Sequence, residues 1–200
     1  MIRRFCKSAL IVSCMAWSSL SATSVTTVNL AEMVRNADRV FYGRCVSTRQ
    51  SVERETGMAI VEYEFEVLEG LKGVRAGETV TIRQLDGEKA SLRLPGLPSY
   101  RKGQELLLFL HGDSRLGLTS PVGMAQGLFE KRVMASGEPG FVNSYQNSNL
   151  AHQLRSERVV SRSLSQTELS AIESGNPIPL SLFQRMIQKI ELAYQESDGR

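Results

Sequence analysis

Between positions 61 and 67 apolar and acidic residues alternate, and this pattern constrains the fold more than any other feature. A period of two places the two sets on opposite faces of a β-strand. The segment from 59 to 68 is therefore predicted to be a strand with one face in the core and one in water. The apolar set is Val61, Tyr63, Phe65 and Val67, and the acidic set is Glu62, Glu64 and Glu66.

A second segment is apolar without interruption. Residues 106–110 read Leu-Leu-Leu-Phe-Leu, and turn-forming glycines flank them at 103 and 112. Such a run is typical of a strand covered on both faces, and it is too short to span a membrane. Further strands are predicted at 40–46, 79–85, 117–119 and 128–133. About six or seven short strands favour an antiparallel barrel or sandwich.

Helices are predicted at both ends of this strand-rich region. Capping boxes predict helices that begin after Asn29, after Ser165 and at Ser181. The last helix has an apolar stripe at helical spacing, which either docks on the barrel or binds a partner. Its stripe consists of Phe183, Met186, Ile187, Ile190 and Tyr194.

The first 24 residues have the layout of a secretory signal. Arg3, Arg4 and Lys7 precede a short apolar run, and small residues follow it. We expect export to the periplasm or medium and a mature chain that starts near Val25. A lipid anchor on Cys14 is the lesser alternative, because Ile-Val-Ser-Cys at 11–14 matches a lipoprotein box.

Composition changes after residue 135, and this gives the expected organisation of the chain. Residues 1–24 are the signal peptide, and 25–135 form the barrel domain. Residues 136–163 are predicted to be a polar linker because glycine, proline, serine and asparagine are frequent there. Residues 164–200 form a helical C-terminal segment.

Charge and motif content argue against several functions. The chain has 24 basic and 21 acidic residues, and the excess of three equals the basic residues of the leader, so nucleic-acid binding is not expected. Phosphate-loop, zinc-protease, Cys-x-x-Cys and serine-elbow motifs are absent from the sequence. With His111 and His152 as the two imidazoles, we expect no enzyme, metal or cofactor.

Five strand motifs follow one another at 37–44, 61–67, 71–73, 79–82 and 103–110. Their order is similar to that of a netrin-like barrel, the module of tissue inhibitors of metalloproteinases and of many bacterial exported proteins. The resemblance implies an OB-like closed or partly open antiparallel barrel with a packed N-terminal helix and a helical C-terminal appendage. Those inhibitors carry disulfides and chelate zinc through an N-terminal cysteine, which the predicted mature start lacks. Cys6 and Cys14 are expected to leave with the leader, so Cys45 would have no disulfide partner.

We therefore expect an exported, non-enzymatic binding module with a protein partner. The alternatives are an inhibitor or companion of a secreted metalloprotease that acts without zinc chelation, and a small hydrolase that uses two of the 21 acidic residues. Loops at 53–57 and 94–100 are candidate contact regions. The candidate partner-binding residues are Tyr100, Arg101, Phe183, Met186, Ile187 and Ile190.

Overall fold

The structure is a computed structural model that describes residues 26–86 and 96–199. The prediction of a mainly β protein with C-terminal helices is confirmed. The strands are β1 Arg39–Val52, β2 Ala59–Lys72, β3 Thr79–Leu85, β4 Glu105–Leu110, β5 Leu128–Val133, β6 Pro139–Asn143 and β7 Ile178–Pro179. The helices are α1 Leu30–Asn36, α2 Arg158–Ser163, α3 Gln166–Glu173 and α4 Leu180–Asp198.

The strands form one antiparallel sheet in the order β3-β2-β1-β4-β5-β6-β7. Within the described residues this sheet is open, so the closed form of the expected barrel is not observed. The edge of β3 meets the loop that follows β4, where the Thr119 N–H donates to the Arg83 carbonyl at 2.8 Å. The sheet stays open because β5, β6 and β7 continue outward from β4 rather than returning to β3.

The two faces of the sheet carry separate apolar cores. On one face, Phe109, Phe129 and Phe141 pack with the apolar sides of α1 and α4. On the opposite face, Phe41 and Phe65 belong to a second cluster. Adjacent strand residues point to opposite faces, so the uninterrupted run in β4 supplies side chains to both cores.

The alternating segment lies in β2 as predicted. Tyr63, Phe65 and Val67 are buried in the second cluster, with Val61 partly buried against it. Alternate leucines of β4 complete the same cluster: Leu106, Leu108 and Leu110. These seven residues of β2 and β4 therefore share one core.

Two of the three predicted capping boxes are present. In α1, the Asn29 side chain accepts from the Glu32 N–H and the Glu32 carboxylate accepts from the Asn29 N–H, both at 2.9 Å. Ser165 and Glu168 form the same arrangement at α3. The box expected at Ser181 is wrong, because α4 begins one residue earlier and the Ser181 hydroxyl bonds the Glu138 carboxylate at 2.9 Å.

The apolar stripe of α4 lies inside the molecule. Phe183, Met186, Ile187 and Ile190 are fully buried in the core on the helix side of the sheet. The ring of Phe183 stacks edge-on against Phe129, with centroids 5.2 Å apart. The stripe therefore docks on the sheet, and these four residues are not available as a surface for a partner.

The segment predicted to be a linker is ordered and packed. It contains β6 and α2, and Leu150 and Leu154 are buried in the core. A network of buried amides holds the turn after β6. Asn147 accepts from the Asn143 N–H and donates to the carbonyls of Phe141 and Asn176, at 2.9–3.0 Å. Buried amides look like loop residues in a sequence, which explains the wrong linker prediction.

The strand predicted at residues 117–119 is wrong, because these residues form part of the loop after β4. The predicted leader at 1–24 lies outside the described residues, as do residues 87–95, which include the start of the predicted loop at 94–100. No helix within the described part of the chain is both long and apolar enough to cross a membrane.

Candidate functional site

One cluster of titratable side chains joins β1, β4 and β5 at a sheet end. The hydroxyl of Tyr42 donates to the Glu105 carboxylate at 2.5 Å, and the Lys131 ammonium donates to the same carboxylate at 2.7 Å. Arg44 donates to the other carboxylate oxygen at 2.8 Å. Residues far apart in sequence meet here because β1 and β5 both pair with β4.

The electrostatics of this cluster oppose catalysis. Hydrogen bonds from Lys131, Tyr42 and Arg44 lower the pKa of Glu105 to about 2. The carboxylate raises the pKa of Lys131, and burial together with the carboxylate raises the pKa of Tyr42. At neutral pH the Glu105 carboxyl is therefore ionised, the Lys131 amine is protonated and the Tyr42 hydroxyl is neutral. An acid or base catalyst, by contrast, needs a pKa near the working pH. The arrangement serves to join three strands.

The depressed pKa of Glu105 makes stability depend on acidity. The unfolded chain has a Glu pKa of about 4.3. The carboxylate therefore stabilises the fold fully above about pH 4.5, and this contribution is lost as the pH falls towards 2. We expect Glu105→Gln to lower the free energy of unfolding by about 1–3 kcal/mol at pH 7.

Urea melts between pH 7 and pH 2 measure this effect. The difference between wild type and Glu105→Gln should shrink as the pH falls, because protonation removes the same charge. Glu69→Gln, at an exposed site on β2, is the control and should change stability by less than about 0.5 kcal/mol. A difference that is constant over the pH range would contradict the assignment.

The remaining groups of possible catalytic value are dispersed. The described residues contain no group of three or more His, Cys, Asp or Glu side chains that could hold a metal ion. A ring nitrogen of His111 lies 3.1 Å from the Asn36 carbonyl, and His152 is exposed in a turn. Cys45 is fully buried, and burial raises the pKa of its thiol, which makes it a poor nucleophile.

A cleft of about 270 Å³ lies on the face of β5 and β6 that is turned away from α4. We call it the β5–β6 groove. Leu128 and Val142 line it from the sheet, and Pro98 lines it from the loop before β4. Val142 is directed away from the helices because its neighbour Phe141 lies in the helix-side core.

The rim of the β5–β6 groove is polar but carries no unpaired charge. Gln104, Ser144 and Gln146 contribute uncharged groups. Glu130 and Arg132 pair with each other at 2.8 Å across one end. A ligand of this groove would therefore be selected by apolar contact and by hydrogen bonds rather than by net charge.

The predicted loop residues have different placements. Tyr100 is buried against Tyr63 and Phe65, with ring centroids 4.8 and 5.3 Å away. Arg101 is exposed, and its N–H donates to Gln104 at 3.1 Å. Tyr100 therefore holds the loop on the core, while the residues next to this pair in sequence, such as Pro98 and Gln104, line the groove.

The other predicted loop, at 53–57, borders a wider depression of about 700 Å³. Its charges largely pair within the chain. Glu62 bonds Arg49 at 2.6 Å and lies 3.3 Å from Arg83. The Glu53 carboxylate accepts from the Thr56 N–H at 2.8 Å, and the backbone donors of this turn lower its pKa. The depression is polar and internally compensated, so it offers less to a partner than the groove.

The sequence did not reveal the groove, because its lining comes from three separate stretches of the chain, 98–104, 125–132 and 142–146. No periodic pattern of the sequence links these stretches. Comparison with protein-family models, with curated proteins and with solved structures finds no match to this chain.

Proposed function

We propose that this protein is an exported, non-enzymatic binding module whose β5–β6 groove receives an apolar side chain of a protein partner. The proposal of export is supported by the charged, apolar and small-residue order of the first 24 residues. The proposal of binding is supported chiefly by the groove, with its apolar floor and uncharged polar rim.

The size of the groove favours a protein partner over a free cofactor. Clefts that hold small molecules usually measure about 300–1,000 Å³ and enclose most of the ligand. This groove is slightly smaller, at about 270 Å³, and lies at the surface of the sheet. Anchoring side chains at protein interfaces occupy small pockets of this kind, surrounded by polar groups.

A secreted metalloprotease is one candidate partner, and contact with it would not involve zinc chelation. The Cys45 sulfur is fully buried and lies 3.5 Å from the Ser47 carbonyl. A protease metal could not reach it without unfolding β1. In such a complex the β5–β6 groove would contact a surface of the protease that is remote from the catalytic zinc.

A substitution that fills the groove tests the proposal. Ser144 is exposed at the rim, so Ser144→Trp should occupy the groove without disturbing the core. Ser136→Trp, in the exposed hairpin between β5 and β6, is the matched control. The probe is a phage-displayed library of random peptides that is selected on immobilised wild-type protein. This protein is recovered after export, and its intact mass reports whether the leader has been removed.

We expect wild type to enrich peptides that share a large apolar residue. Ser144→Trp should bind the enriched peptides at least about tenfold more weakly, which corresponds to 1.4 kcal/mol. Ser136→Trp should bind them as wild type does. Absence of enrichment, or equal binding by Ser144→Trp, would overturn the proposal.

A further inference from the structure

A second groove lies on the helical side of the molecule, between α2 and α4. Its exposed apolar residues are Val159, with 47% of its surface accessible, and Leu192, with 57%. Ala193 lies between the helices, and Arg162 and Glu196 also line the groove. We call this surface the α2–α4 groove.

Two contacts fix the relative direction of the helices. At the start of α2, the Glu157 carboxylate accepts from the Tyr194 hydroxyl at 2.8 Å. Beyond the end of α2, Glu168 accepts from Lys189 at 2.8 Å. The chain from 157 to 168 therefore runs antiparallel to α4. Arg162 lies towards the Lys189 end of the groove, and Glu196 lies towards the other end.

The groove consequently has a positive end, an apolar middle and a negative end. The charge of Lys189 is compensated by Glu168, whose side chain is only 4% exposed. Arg162 and Glu196, by contrast, make no ion pair within the described part of the chain. Val159 and Leu192 lie between these two charges.

We infer that a second copy of this chain docks on the α2–α4 groove through a two-fold axis. In such an interface, if residue i of one copy contacts residue j of the other, then residue j of the first copy also contacts residue i of the second. An axis through the Val159–Leu192 region buries these apolar side chains against their counterparts. It also brings Arg162 of each copy to Glu196 of the other, so that the surface is complementary to itself.

The apolar area sets the strength of this dimer. Stable interfaces bury about 800 Å² on each partner, and two exposed apolar residues supply only part of such an area. The dimer is therefore a weak one that forms as concentration rises. The β5–β6 groove lies on the opposite side of the sheet from α4 and stays open in both copies.

Sedimentation across a dilution series of the purified protein tests the dimer. Wild type should pass from monomer to dimer with increasing concentration. Leu192→Glu should weaken self-association at least about tenfold. Gln184→Glu, at an exposed position of α4 that faces away from the groove, is the control and should leave it unchanged. Thermal melts establish that each variant is folded.

A charge exchange separates this geometry from other forms of association. Arg162→Glu and Glu196→Arg should each weaken the dimer, because like charges then meet across the axis. The double variant should restore wild-type association. Wild type that stays monomeric throughout, or a double variant no better than the single variants, would overturn the inference.

Discussion

A chain that ends at Gly175 is expected to lose cooperative folding altogether. The deletion removes α4 and with it Phe183, Met186, Ile187 and Ile190, all of which are fully buried. Burial of each such side chain contributes about 1.5–3 kcal/mol, so the four together contribute about 6–12 kcal/mol. That loss is comparable to the whole stability of a typical domain, about 5–15 kcal/mol.

Circular dichroism and urea melts measure the outcome. The 1–175 chain should show no cooperative transition, whereas a chain that ends at Glu196 keeps the entire stripe and should melt as wild type does. A cooperative melt of the 1–175 chain would mean that the sheet is stable without α4. In that case α4 would be the appendage that the sequence predicted.

The sequence predicted the stripe of α4 but not what covers it. Helical spacing of apolar residues shows that a helix has a buried face, and it does not name the surface against which that face packs. Only the structure shows that Phe183 packs against both Phe109 and Phe129. Local signals were more informative, since the capping boxes at Asn29 and Ser165 depend on residues three positions apart.

The region from 136 to 163 shows where local signals fail. Its asparagines resemble loop residues in composition, yet Asn143, Asn147 and Asn149 are buried. Asn147 has a positive φ of 57°, a conformation that asparagine tolerates better than most residues. Its amide satisfies backbone groups of β6 and of the segment before β7. The Asn176 partner lies 29 residues away in sequence, so local composition could not indicate this contact.

The two grooves differ in how far the sequence could have indicated them. The β5–β6 groove adjoins the predicted loop at 94–100, but its floor depends on the pairing of β5 with β6. The α2–α4 groove depends on the direction of two helices, which tertiary contacts alone determine. If both proposals hold, a dimer displays two partner sites, and a partner with two matching segments gains affinity from effective concentration.

Phe65→Ala is expected to lower the free energy of unfolding by about 3–5 kcal/mol. The ring is fully buried on the face of β2 opposite to α4, and it packs edge-on against Phe41 and Tyr100 with centroids 6.0 and 5.3 Å away. The substitution leaves a cavity that these flanking rings cannot fill without leaving their own contacts. Urea melts measure the loss, and Glu66→Ala, the next residue on the exposed face, should change stability by less than about 0.5 kcal/mol. A loss below about 1 kcal/mol for Phe65→Ala would show that the alternating segment places its glutamates, and not its apolar residues, towards the core.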